Sequence, residues 1–124
     1  MKFAVLAIVL AAGSAVHAQS QARATYSSNG KLVEVANLLG LSDCRVSNVS
    51  GKVSRIKVSE AAVRVVLRRG DERVDFNIPL ANVNRDDKEA MFKHLVTKGN
   101  TLEIAGYRCS ETDAPSAFSV RRVY

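Results

Sequence analysis

Six arginines carry the chemistry most evident in this chain. Arg64, Arg68, Arg69 and Arg73 crowd one short stretch, and Arg121 and Arg122 stand near the end of the sequence. A guanidinium is permanently charged and offers five donors in a planar fork, so a cluster of them suits carboxylate or phosphate groups. Glu72 and Asp75 stand among the first four and allow a second reading, a neutralised and solvated surface. Catalytic chemistry is poorly supplied. His94 sits beside Lys93 and one turn before Lys98 and reads as a solvated histidine, and Glu103 and Asp75 lack a second carboxylate at a useful spacing. There is no G-x-S-x-G, no H-E-x-x-H and no glycine-rich phosphate loop. The residues point to binding without catalysis, with no metal and no cofactor.

The first eighteen residues bear on how the rest is read. Lys2, the apolar run Phe3 to Ala12 and the small-residue end Gly13 to Ala18 have the form of a secretory signal cleaved before Gln19. Its removal leaves 106 residues, 17 Lys+Arg against 12 Asp+Glu and a net charge of +5. That is one domain, basic enough to be drawn to anionic partners. No later apolar run reaches membrane-spanning length. Cys44 and Cys109 are the only cysteines and form no C-x-x-C, so in an exported chain they pair as a structural disulfide. Such a bond closes a loop of about 65 residues and contributes ~4 kcal/mol in the chain-entropy model.

The elements that must position the arginines follow from periodicity. Residues 19–30 are polar and read as a flexible leader. Lys31 to Leu41 places Leu32, Val35, Leu38 and Leu39 near one helical face, with Gly40 as the stop, and predicts a short leading helix, with a strand as the alternative. Arg45 to Val58 reads as a long strand whose apolar positions break alternation twice, which predicts a bulge, with Gly51 permitting the bend. Val63 to Leu80 reads as a hairpin. A two-residue turn at Gly70-Asp71 sets Leu67 against Val74, Val65 against Phe76 and Val63 against Ile78. The same register sets Arg68 against Arg73 and Arg64 against Asn77 on the outer face. The tripeptide Arg69-Gly70-Asp71 at the tip is explained by turn chemistry. Asn48-Val49-Ser50 is a glycosylation sequon with meaning only in a eukaryotic secretory route. Asn84 to Lys98 is predicted as a helix with Asn84 as cap and Met91, Phe92, Leu95 and Val96 as its buried stripe. Strands follow at Thr101 to Cys109 and Phe118 to Val123.

The order β-β-β-α-β-β is that of a five-stranded OB-fold-like barrel, mainly β, here spanning residues 31–124 with a short leading helix and one disulfide. In that barrel the first strand pairs with the fourth, which brings Cys44 beside Cys109. The fold binds on the face of its second and third strands, between the 59–62 and 110–117 loops.

The segments LVEVANLLGLSDCRVSNVSGKVSRIKV (32–58) and LEIAGYRCSETDAPSAFSVRRV (102–123) resemble the bacterial periplasmic OB-fold (BOF) family. The resemblance spans most of the chain and rests on a G-x-V-x-x-I strand, an L-x-I-x-G strand and an S-V-containing last strand. The disulfide, the longer helix and the basic charge depart from the family's pattern. The resemblance implies an envelope protein that binds without catalysis.

The resulting expectation is a periplasmic or secreted binding protein of the bacterial envelope. It would contact an anionic or small ligand through Arg64, Arg68, Arg69 and Arg73, with Arg121 and Arg122 as outer contributors. The alternatives are an inhibitor or immunity protein that plugs a secreted enzyme or toxin, and a component of a larger envelope assembly. Nucleic acid is not expected as a partner. Single-strand binders stack bases on aromatic rings, and the hairpin's one aromatic, Phe76, faces inward.

Overall fold

The computed structural model describes residues 21–124. The signal-peptide reading of residues 1–18 lies outside the described residues. Among the described residues seven strands share one sheet: β1 (Arg23–Tyr26), β2 (Leu32–Ala36), β3 (Arg45–Val58), β4 (Ala62–Arg69), β5 (Glu72–Pro79), β6 (Thr101–Arg108) and β7 (Ser116–Arg122). Between β5 and β6 lies α1 (Arg85–Ala90), which runs into a π-helical turn at Met91–Leu95. No helix among the described residues is long and apolar enough to cross a membrane.

The strand β3 serves two neighbours. Its first half pairs antiparallel with β6, from Arg45 opposite Arg108 to Lys52 opposite Thr101. Its second half pairs antiparallel with β4, from Lys52 opposite Arg68 to Val58 opposite Val63. The β4–β5 hairpin continues the sheet, β5 meets β7 in parallel at Asn77 and Ser116, and β7 pairs antiparallel with β6. The pairings β3–β4–β5–β7–β6–β3 therefore return to their start. Strands β2 and β1 extend outward from β7.

The hairpin register is the one its apolar pattern requires: Val63 faces Ile78, Val65 faces Phe76 and Leu67 faces Val74. Of these, all but Val74 are buried in the core, and Val74 packs against it. Gly70 takes φ 64° at the turn, a conformation that favours glycine. The cap is also as expected, since the Asn84 side chain accepts a hydrogen bond from the Asp87 amide at 2.8 Å. The α-helix itself is shorter than the 84–98 reading. At its end the Val96 amide donates to the Met91 carbonyl, five residues back, at 2.7 Å. Asn100 Nδ2 then donates to the His94 and Leu95 carbonyls, both at 3.0 Å, and finishes the segment before Lys98. Met91, Leu95 and Val96 are buried as predicted, and Phe92 packs against the core while partly exposed.

Three expectations are corrected. The predicted helix at 31–41 is strand β2, and the expected flexible leader contains strand β1. The reason is a bulge. Thr25 pairs with Glu34 and Tyr26 with Leu32, so Val33 is an extra residue. An inserted residue reverses the facing of those after it, and Leu32 and Val35, three apart, are both buried. That spacing imitates a helical face. The third correction concerns Gly51. The bulge in β3 lies at Ser54, between the pairs Val53–Leu67 and Arg55–Val66. Gly51 instead permits close approach of β4, because a Cβ there would stand 2.9 Å from the Arg68 carbonyl oxygen. The Cys44–Cys109 disulfide is present, with Cα atoms 4.8 Å apart, just beyond the Arg45–Arg108 pair.

Candidate functional site

Strand alternation sends Val53, Val65, Leu67, Phe76 and Ile78 into the core and the residues between them outward. On the outer side of β3, β4 and β5 the registers align three rows. One row is Lys52, Arg68 and Arg73, the next Arg55, Val66 and Asp75, and the third Lys57, Arg64 and Asn77. The Ser54 bulge makes this alignment possible. It absorbs one residue, so that Lys52, Arg55 and Lys57 are all exposed despite their uneven spacing. Ser54 is anchored there by its hydroxyl, which donates to the Val66 carbonyl at 3.2 Å.

The rows hold six cations and one carboxylate. Lys57 directly faces Arg64, Lys52 faces Arg68 and Arg68 faces Arg73, a cross-strand arrangement that is unfavourable in isolation. Asp75 is the only counter-charge in the rows. It stands 3.6 Å from Arg64 and 3.9 Å from Arg73, with both arginine side chains about half exposed, and contacts of that kind contribute little. The face keeps most of its positive charge available.

Two loops frame it. Ser59 Oγ donates to the Ala62 carbonyl at 2.9 Å and shapes the loop between β3 and β4. The 110–115 loop is fixed by the disulfide at its start, by an Arg45–Glu111 ion pair at 3.0 Å and by Arg108 Nη1 donating to the Asp113 carbonyl at 3.4 Å. Between this loop and β5 lies a cleft of about 350 Å³ that brings together Arg64, Arg73, Asp75, Arg108, Glu111 and Asp113. A second cleft of about 300 Å³ is lined by Lys57, Ser59, Arg64 and Asn77. Arg64 belongs to both.

Three of the six predicted arginines, Arg64, Arg68 and Arg73, occupy this face in the predicted register. The other three do not join them. Arg69 is bound to Glu72 at 2.9 Å at the hairpin tip. Arg121 is bound to Glu103, and this hydrogen bond, then the Glu103 charge, holds its guanidinium still more firmly protonated. Arg122 lies over the Tyr124 ring at 4.8 Å. These two line a separate cleft of about 540 Å³ with Ser27, Ser28, Asn29 and Glu34. His94 is half-buried, not solvated, and its Nδ1 is buried without a partner among the described residues. Sequence reasoning missed Lys52, Arg55, Lys57 and Arg108. The first three were discoverable as cations interleaved with the inward-facing Val53 and Ile56, but only once the bulge at Ser54 had been located.

No protein-family model matches the chain, and no curated protein sequence matches it. Among solved structures it is similar to the crystal structure of the S. pombe Stn1-ten1 complex, with 12% identity over 89% of this chain and 74% of that chain and a TM-score of 0.48. The expected envelope binding protein, with its inhibitor or immunity alternative, is corrected: no family model and no curated protein supports it, and it is not taken further. The exclusion of nucleic acid is corrected with it. That exclusion rested on the missing aromatic platform, whereas six cations on one face offer phosphate contacts, which supply essentially all of non-specific affinity.

Proposed function

We propose that this chain is an OB-fold-like barrel that binds single-stranded nucleic acid along the outer face of β3, β4 and β5, chiefly through its phosphates. The closed circuit of five strands, with β5 and β7 parallel and a helix between β5 and β6, supports the barrel reading. The observation that carries the function is the six-to-one excess of cations over carboxylates on the three aligned rows. The loops that flank a binding face in such barrels flank this one. Lacking an exposed aromatic in its rows, the face would bind with little sequence preference along most of its length and with strong salt dependence. The Cys44–Cys109 bond supports an export reading, because structural disulfides persist in oxidising compartments. The nucleic acid would then be met outside the cytosol.

The test is fluorescence anisotropy of a labelled mixed-sequence DNA strand against the oxidised protein over a range of salt. Each phosphate contact removed lowers the slope of log K against log salt by about 0.7. Arg68→Ala with Arg73→Ala should therefore make the slope shallower by about 1.4. A protein that binds no strand at low salt, or a slope that ignores both substitutions, would overturn the proposal.

A further inference from the structure

The cleft between β5 and the 110–115 loop differs from the rest of the face in a way that phosphate binding does not explain. Its lining holds three arginines, Arg64, Arg73 and Arg108, and three carboxylates, Asp75, Glu111 and Asp113. Carboxylates repel a phosphate backbone, so for backbone contact alone they are a disadvantage. We infer that this cleft selects nucleobases bearing an exocyclic amino group over thymine or uracil, an inference that rests on the nucleic-acid reading above.

The geometry supplies acceptors where a base would enter. Asp75 lines the cleft and is held loosely, at 3.6 Å by Arg64 and at 3.9 Å by Arg73, so a phosphate that draws both arginines away leaves its carboxylate without an ion-pair partner. Asp113 is held by its backbone carbonyl, which accepts from Arg108, and its carboxylate makes no ion pair among the described residues. Glu111 is turned to Arg45 and is the least available of the three. A carboxylate can only accept hydrogen bonds. Cytosine, adenine and guanine each carry an amino donor, whereas thymine presents a carbonyl oxygen and a methyl group in its place. The cleft's volume of about 350 Å³ lies in the range of small-ligand sites. Among the described residues no aromatic lines it, so differences in stacking strength do not set the order of preference.

The experiment compares oligo-dC with oligo-dT of equal length by anisotropy, using the oxidised full chain. Oligo-dC should bind about tenfold more tightly, within the discrimination expected of a carboxylate–amino contact. Asp75→Ala with Asp113→Ala should abolish that preference and at the same time tighten oligo-dT, because two repulsive charges are gone. Thermal melting shows whether the variant is folded. Equal binding of both strands by the unaltered protein overturns the inference and leaves the phosphate reading standing, as does a preference that survives both substitutions. Binding of neither strand removes the parent reading and this inference with it.

Discussion

The β3–β4–β5 face and the β6–β7 end both display arginine, yet they use it differently. On the face, Arg68 is flanked by Lys52 and Arg73, and the one carboxylate in the aligned rows, Asp75, is shared at long range by Arg64 and Arg73. At the other end, Arg121 faces Glu34 on β2 and Glu103 on β6 and is bound to the latter, while Arg122 is spread over Tyr124. A guanidinium engaged by the fold contributes little further attraction to a polyanion. One left among like charges is a standing cost to the folded protein, relieved when an anion arrives. Residue type alone does not distinguish these cases. Cross-strand register does.

The largest expected effect comes from reversing charge on the face. Arg64→Glu with Arg68→Glu should abolish measurable strand binding at moderate salt, whereas Arg121→Glu with Arg122→Glu should leave most of it. Equal losses in an anisotropy assay would erase the distinction between the two regions. A second test acts on the frame. Cys44→Ser with Cys109→Ser should lower stability by about 2–5 kcal/mol in chemical denaturation. It should also weaken strand binding, because the 110–115 loop loses the anchor at its start.

Gly51 offers a smaller effect that couples packing to the site. Gly51→Ala forces a Cβ against the Arg68 carbonyl and should cost roughly 1–3 kcal/mol, as overpacking does, while displacing β4 and its arginines. A variant with unchanged melting temperature and binding would show that β4 has room to move. Smaller still, Glu103→Ala frees Arg121 from its partner and should raise strand affinity slightly, by less than about threefold, a change of ~0.6 kcal/mol. No change would mean that the β6–β7 end is too far from the bound strand to contribute.

The smallest effect is read in alkali. Tyr26 Oη donates to Asp87 Oδ1 at 2.6 Å and so ties β1 to α1. That hydrogen bond, with burial and the charges of Asp87 and Asp86, pushes the phenol up to about 12. The folded state therefore prefers the protonated phenol. This stabilisation is fully present below the ordinary tyrosine value near 10 and is lost as pH rises toward 12. Tyr26→Phe should flatten the alkaline fall in melting temperature, without altering strand binding at neutral pH.

The parts of this architecture that were legible in the sequence are those with an unbroken period. The 63–80 hairpin declares its register because each inward residue has an apolar opposite and the turn residues agree. That register placed Arg64, Arg68 and Arg73 correctly. The parts that were not legible lie at bulges. Val33 in β2 and Ser54 in β3 each insert one residue. The first turned a strand into an apparent helix, and the second hid the alignment of Lys52, Arg55 and Lys57 with the hairpin arginines. A bulge is specified by pairing with a distant strand, and a local pattern read along one chain segment does not contain that partner. The disulfide was legible for the opposite reason, since two cysteines admit a single pairing.

The most direct test of the central claim is to map where a strand binds. Backbone amide shifts of the oxidised protein should be followed by NMR as a mixed-sequence DNA strand is added. The account predicts that the perturbed amides lie in β3 from Lys52 to Lys57, in β4, in β5 and in the 110–115 loop. Perturbations centred on Ser27 to Asn29, Arg121 and Tyr124, or none at all, would contradict it.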